Sequence, residues 1–125
     1  MNVVDTSGWL EYFAEGENAD FFAPAIEDSE QLLVPVISIY EVFKKILQNK
    51  GLALAEIRVA DLVKGEVIDL SASLAMSAAK LSTELKLPMA DSLILTVARE
   101  YNATLWTQDA HFKDLPGVQY IEKKA

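Results

Sequence analysis

Short apolar runs alternate with longer amphipathic segments from one end of the chain to the other. Five runs, Asn2–Asp5, Leu32–Val36, Glu66–Leu70, Thr104–Thr107 and Val118–Ile121, are compact and apolar with many β-branched residues. That is the pattern of strands covered on both faces. Between them, apolar residues recur at helical spacing over Ser7–Phe13, Ala19–Glu27, Ser38–Asn49, Leu52–Val63 and Ser71–Leu85, and from Pro88 to about Tyr101. Leu74, Ala78, Leu81 and Leu85 fall on one stripe, and Gly51, Gly65, Pro88 and the Pro116-Gly117 pair mark ends and turns. Buried strands separated by helices predict a three-layer α/β/α fold around a parallel sheet. In such folds sites lie beyond the carboxyl ends of the strands, so the residues just after each strand matter most.

Composition narrows the chemistry. A chain of 125 residues is expected to form a single domain, residues 1–125. Eleven basic residues against 19 acidic ones give a net charge of −8, which excludes broad, non-specific adhesion to nucleic acid. With no cysteine and one histidine, His111, the chain has no disulfide, thiolate zinc site, cysteine nucleophile or multi-histidine metal site. Carboxylate chemistry remains, and it suits hard cations such as magnesium and manganese. No run approaches the ~20 apolar residues of a membrane span. The start Met1-Asn2-Val3-Val4-Asp5 carries no basic region before a long apolar run, so no signal peptide is expected and the predicted location is the cytoplasm.

Four acids stand at strand or helix ends. Asp5 closes the first strand and Asp109 follows the fourth, and each also suits a helix cap. Glu41 fits a capping box with Ser38, and it shares the polar face of its helix with Lys44 and Lys45. The same geometry describes a metal carboxylate beside lysines that approach an RNA phosphate, and spacing does not choose between the two. Asp91 is more telling. At 100° per residue, Leu95, Ala98 and Ile94 lie within about 60° of it, so its carboxylate sits on the apolar face. Such a group costs free energy unless it is paired, hydrogen-bonded or bound to metal. A bland reading has it accept backbone amides in the first turn. Converging carboxylates repel, and a divalent ion removes that penalty. Thr107, Thr6 and Ser7 are placed to hydrogen-bond a carboxylate or a water.

Val3-Val4-Asp5-Thr6-Ser7, Glu41, Leu87-Pro88-Met89-Ala90-Asp91-Ser92-Leu93-Ile94 and Thr107-Gln108-Asp109-Ala110-His111-Phe112, taken in order, resemble the PIN domain. The nearest likeness is to its small prokaryotic branch, the VapC toxins of type II toxin–antitoxin pairs. The resemblance runs over nearly the whole chain, to the Leu115-Pro116-Gly117-Val118 turn into the last strand. It implies a sheet in 3-2-1-4-5 order and a magnesium- or manganese-dependent endoribonuclease that hydrolyses RNA with a metal-activated water. Asp5 would be the central metal ligand, Glu41 and Asp91 the next two acids, and Asp109 the fourth, acting through water or on a second ion. Thr107 matches the family's hydroxyl residue near the site. His111 fits a turn or surface residue as well as a substrate contact. Lys44 and Lys45 are the first candidates for RNA binding.

Two other classes fit the residues less well. An aspartyl-nucleophile phosphatase suits Asp5 after a strand, but that chemistry usually wants an acid two residues on, where Ser7 stands. A non-catalytic interaction module would use the acids only as caps. The segment Asp5-Thr6-Ser7-Gly8-Trp9 is no glycine-rich dinucleotide loop. The resemblance also implies a homodimer and a cognate antitoxin laid in a groove. The aromatic residues Trp9, Tyr12, Phe13, Phe21 and Phe22 are expected to add apolar surface for such contacts.

Overall fold

The computed structural model describes residues 1–124; Ala125, the last residue of the predicted domain, lies outside them. Five strands form one sheet: β1 (Asn2–Val4), β2 (Leu32–Pro35), β3 (Glu66–Ile68), β4 (Thr104–Thr107) and β5 (Val118–Tyr120). All neighbouring pairs are parallel and the order is β3-β2-β1-β4-β5. Among the described residues, six α-helices connect them: α1 (Thr6–Phe13), α2 (Ala19–Glu27), α3 (Val36–Lys50), α4 (Leu52–Leu62), α5 (Ala72–Leu85) and α6 (Met89–Glu100). The predicted α/β/α sandwich and strand order are therefore present.

The two-residue period of the strands divides the core into two layers. Val3, Leu33 and Leu105 point toward α5 and α6, where they meet Leu74, Ala78, Ile94 and Ala98. Val4, Leu32 and Val34 point to the other face and meet Trp9, Phe22, Val42 and Leu62. Trp9 and Phe22 are fully buried there, and Phe21 packs edge-on against Trp106. The early aromatics are thus largely core rather than surface, because the α1–α2 pair lies flat on the sheet. They do not support the expected dimer. Gly8 permits this packing: a Cβ there would meet Val4 Cγ1 at 2.6 Å and the Phe22 ring at 2.7 Å.

Element ends differ from expectation by one or two residues, and one difference matters. The helix predicted over Ser38–Asn49 starts at Val36, directly after Pro35. Pro35, at φ −60°, closes β2 and turns the chain straight into α3. Ser38 is consequently inside the first turn, fully buried, with its hydroxyl unpartnered. It caps nothing, so the capping box with Glu41 does not exist. Gly51, at φ 94°, separates α3 from α4 in a backbone conformation that side chains disfavour.

Candidate metal centre

The sheet changes direction at β1. One crossover leads from it to β2 and β3, and the chain returns on the other side as β4. The cleft beyond the carboxyl ends of β1 and β4 is the topological switch point where such folds place their ligands. Asp5 follows β1 there, and Thr107 ends β4.

Asp5 is only 2% exposed. As N-cap of α1 it accepts the Gly8 amide at Oδ1 (2.9 Å). The Ser7 hydroxyl donates to both of its oxygens (2.8 and 3.0 Å), and the Thr107 hydroxyl donates to Oδ2 (2.7 Å). Capping and site-building are therefore one arrangement at this residue. Burial pushes its carboxyl up to about 6 despite these donors, and the charge of Asp109 adds to the rise. Thr107 also accepts the Asp109 amide at its Oγ1 (2.9 Å), so one hydroxyl joins two of the acids.

The other acids form a rim. Glu41, half-buried on α3, accepts a 2.6 Å hydrogen bond from the Thr6 hydroxyl, which replaces the expected capping contact. Asp91 stands at the start of α6, just before the wholly buried run Ser92–Ala98. Burial raises its pKa, as do the charges of Asp109 and Glu41. The backbone-amide reading of Asp91 is not what the structure contains. Its carboxylate partner is the His111 ring, whose Nδ1 lies 2.8 Å from Asp91 and 3.3 Å from Asp109. Asp109 caps the short turn Ala110–Phe112 by accepting the His111 amide. That turn swings the imidazole back over the acids, and the Asp109-x-His111 spacing was its only trace in the sequence. The hydrogen bond to Asp91, with the charge of Asp109, raises the pKa of His111.

Sequence reasoning also missed a buried polar brace. Gln108, between Thr107 and Asp109, donates to the Ser7 carbonyl (3.4 Å) and to Glu11 (3.3 Å), and accepts from Asn18 (2.9 Å). It ties the end of β4 to α1, which fixes Thr107 and Asp109 relative to Asp5. Lys44 and Lys45 are exposed and form no ion pair with any of the four acids among the described residues. They line a cavity of about 230 Å³ with Thr6, Glu41 and Tyr40. A second cavity, of about 400 Å³, lies on the other side of the α1 N-terminus against Ser7, Gln108, Asp109 and Tyr120.

The donor set fits a divalent cation. Ligand atoms of Asp91, Asp109 and His111 lie within 4.8 Å of one another, close to the span of one coordination sphere. Among the described residues, no lysine or arginine forms an ion pair with any of the four acids. Carboxylate oxygens suit magnesium or manganese, and the imidazole nitrogen favours the transition ion.

Residues 3–118 match the family model of the PIN domain. The chain belongs to the PIN domain family. Three solved structures show how fully the PIN fold is shared. A toxin–antitoxin complex from Klebsiella pneumoniae superposes with a TM-score of 0.78 at 22% identity, covering 95% of this chain and 96% of that one. VapBC2 from Rickettsia felis, bound to a DNA fragment from its promoter, gives 0.71 at 20% identity over 97% of each chain. VapC20 from Mycobacterium tuberculosis, a toxin that cleaves the sarcin–ricin loop, gives 0.68 at 15% identity over 83% and 85%. No curated protein matches the sequence. Among the described residues, no helix of this PIN domain is long and apolar enough to cross a membrane.

Proposed function

We propose that this chain, as one domain, is a metal-dependent endoribonuclease and the toxin of a toxin–antitoxin pair. The observation that carries the reading is a group of carboxylates at the switch point of a PIN fold, with Asp91, Asp109 and His111 within one coordination span, Asp5 tied to Asp109 through Thr107, and no lysine or arginine paired with these acids among the described residues. Its fold neighbours, among them a toxin–antitoxin complex and a toxin that cleaves the sarcin–ricin loop, point the same way. Asp5, Glu41, Asp91 and Asp109 hold magnesium or manganese, with Asp5 as the buried base of the set. When bound, the ion lowers the pKa of water and neutralises charge on phosphoryl oxygens. Thr107 and Ser7 hold the Asp5 carboxylate in place through their hydroxyls. Lys44 and Lys45 meet RNA phosphates beside Glu41. Hydrolysis leaves a 5′-phosphate and a 3′-hydroxyl. The partners are RNA, a cognate antitoxin and a second copy of the chain.

The test is cleavage of RNA by the purified chain, mapped by sequencing the new 5′ ends. EDTA should stop it, and added manganese or magnesium should restore it. Undiminished cleavage in metal-free buffer would remove the reading.

A further inference from the structure

Tyr40 stands out among the large aromatic side chains. Trp9, Phe22 and Phe112 are fully buried, whereas Tyr40 is 60% exposed. It directly precedes Glu41 on α3. The core side of that helix is taken by Val42 and Ile46, so the ring is turned toward solvent. One turn on, the Lys44 ammonium lies 5.7 Å from the centre of the ring, within cation–π range. Both side chains line the cavity of about 230 Å³ that Thr6 and Glu41 also line. An exposed aromatic ring, a cation over one of its faces and an edge of the acid cluster therefore share one concavity.

We infer that Tyr40 and Lys44 form a stacking subsite for one unpaired nucleotide, next to the phosphate held at the acids. The inference rests on the nuclease reading and adds that the substrate is single-stranded at this position. A nucleobase offers a flat π-face only when it is unstacked, and an exposed tyrosine takes any base that way. Lys44 is placed to meet the phosphate of the same nucleotide while the ring takes its base. In a chain of net charge −8, such a local pairing of π-face and cation is what would hold a polyanion without a broad basic surface. Tyr101 serves as the natural comparison. It is 43% exposed but caps the far end of α6, the helix whose first turn carries Asp91.

The test uses a short single-stranded RNA carrying one 2-aminopurine, with every protein built on Asp5→Asn so that the RNA stays intact. Binding should quench the 2-aminopurine. Tyr40→Ala should lose the quench and bind roughly tenfold more weakly, the scale of one base–aromatic stack. Tyr40→Phe should behave like the parent, and Tyr101→Ala should change nothing. A duplex of the same sequence should bind Tyr40→Ala and its parent alike. Unchanged quench and affinity in Tyr40→Ala would overturn the subsite, and so would equal weakening toward the duplex. A shift of Tyr40→Ala from dimer to monomer in sedimentation would also overturn it, making the ring an interface residue. Cleavage by the otherwise unaltered chain is read separately, so loss of the subsite would leave the nuclease reading standing.

Discussion

The floor and the rim of the acid cluster are built by different physics. The floor is Asp5 with Ser7, Gly8 and Thr107: a buried carboxylate held by an amide and two hydroxyls at the ends of β1 and β4. The rim is Glu41, Asp91 and Asp109, carried by two helices and a short turn, with one exposed imidazole linking the two aspartates and the Thr6 hydroxyl holding Glu41. Every floor contact comes from the end of β4 or from the first turn of α1 directly after β1, so its geometry follows from the fold. The rim depends on how α3, α6 and the Ala110–Phe112 turn pack. A cation site needs both, a fixed anchor and ligands that can close on it. The difference also locates the cost. Desolvation falls mainly on Asp5, and mutual repulsion couples the rim acids.

Removing the floor's charge should have the largest effect. Asp5→Asn keeps the shape and the cap, since asparagine also accepts at an N-cap. RNA cleavage should fall by more than about a hundredfold, the upper loss typical for merely outer-shell metal partners. In EDTA the same variant should be more stable than its parent at neutral pH. Asp5 titrates near 3.8 unfolded and about 6 folded. Below 3.8 it is protonated in both states and costs nothing. Between the two values the folded state binds the extra proton, so stability falls as pH rises, and the full cost is present above 6. That cost is up to about 3 kcal/mol at 1.36 kcal/mol per unit. The melting advantage of Asp5→Asn should therefore grow from pH 4 to pH 7. A variant that melts lower at neutral pH in EDTA would show that Asp5 is a stabilising cap first.

At the rim, Glu41→Gln should weaken manganese binding and cleavage by about a hundredfold. Its amide oxygen can still accept from Thr6, so melting in EDTA should stay near that of the parent. Calorimetric titration with manganese decides it: unchanged affinity would leave a site of three aspartates. Thr107→Val probes the joint between floor and rim. It deletes a buried hydroxyl that donates to Asp5 and accepts from the Asp109 amide. A loss of about 1–3 kcal/mol in denaturant unfolding is expected, with cleavage down about tenfold. Thr107→Ser, which restores the hydroxyl, should recover most of both.

The same division explains what the sequence made legible. Helix count and the placement of Asp5, Thr107 and Asp109 follow from apolar runs and from residues adjacent to strand ends, whereas the strand order came only with the resemblance to the PIN domain. Asp91 was readable because helical periodicity puts it on the apolar face, just before a run that proves buried throughout. Glu41 was singled out, but its hydrogen-bond partner is Thr6 and not Ser38. Ser38 looks like a cap only if α3 begins there, and helix starts after a proline are set by backbone geometry that periodicity does not carry. His111 and Gln108 were not assigned their roles for a similar reason. Each acts across the chain, from a short turn or strand end to residues 20 to about 100 positions away. Such contacts exist only once the sheet is assembled.

The smallest expected effect belongs to His111, and its sign separates a counter-charge from a packing role. The ring bridges Asp91 and Asp109, and its folded pKa lies above the ordinary 6.5. Where the imidazole is charged and Asp91 is ionised, the pair stabilises the fold. That contribution is fully present just below 6.5 and is lost as pH rises past the raised folded value. At the acid end it also fades as Asp91 protonates, at a pKa that burial has moved upward. The gap between the parent and His111→Ala should thus peak in a window below neutrality. It should stay within a few tenths of a kcal/mol, because the ring is more than half exposed and solvent screens the pair. Saturating manganese supplies the positive charge in another form and should shrink the gap within that window. A gap that ignores both pH and manganese would assign His111 to packing and leave the rim acids without an internal counter-charge.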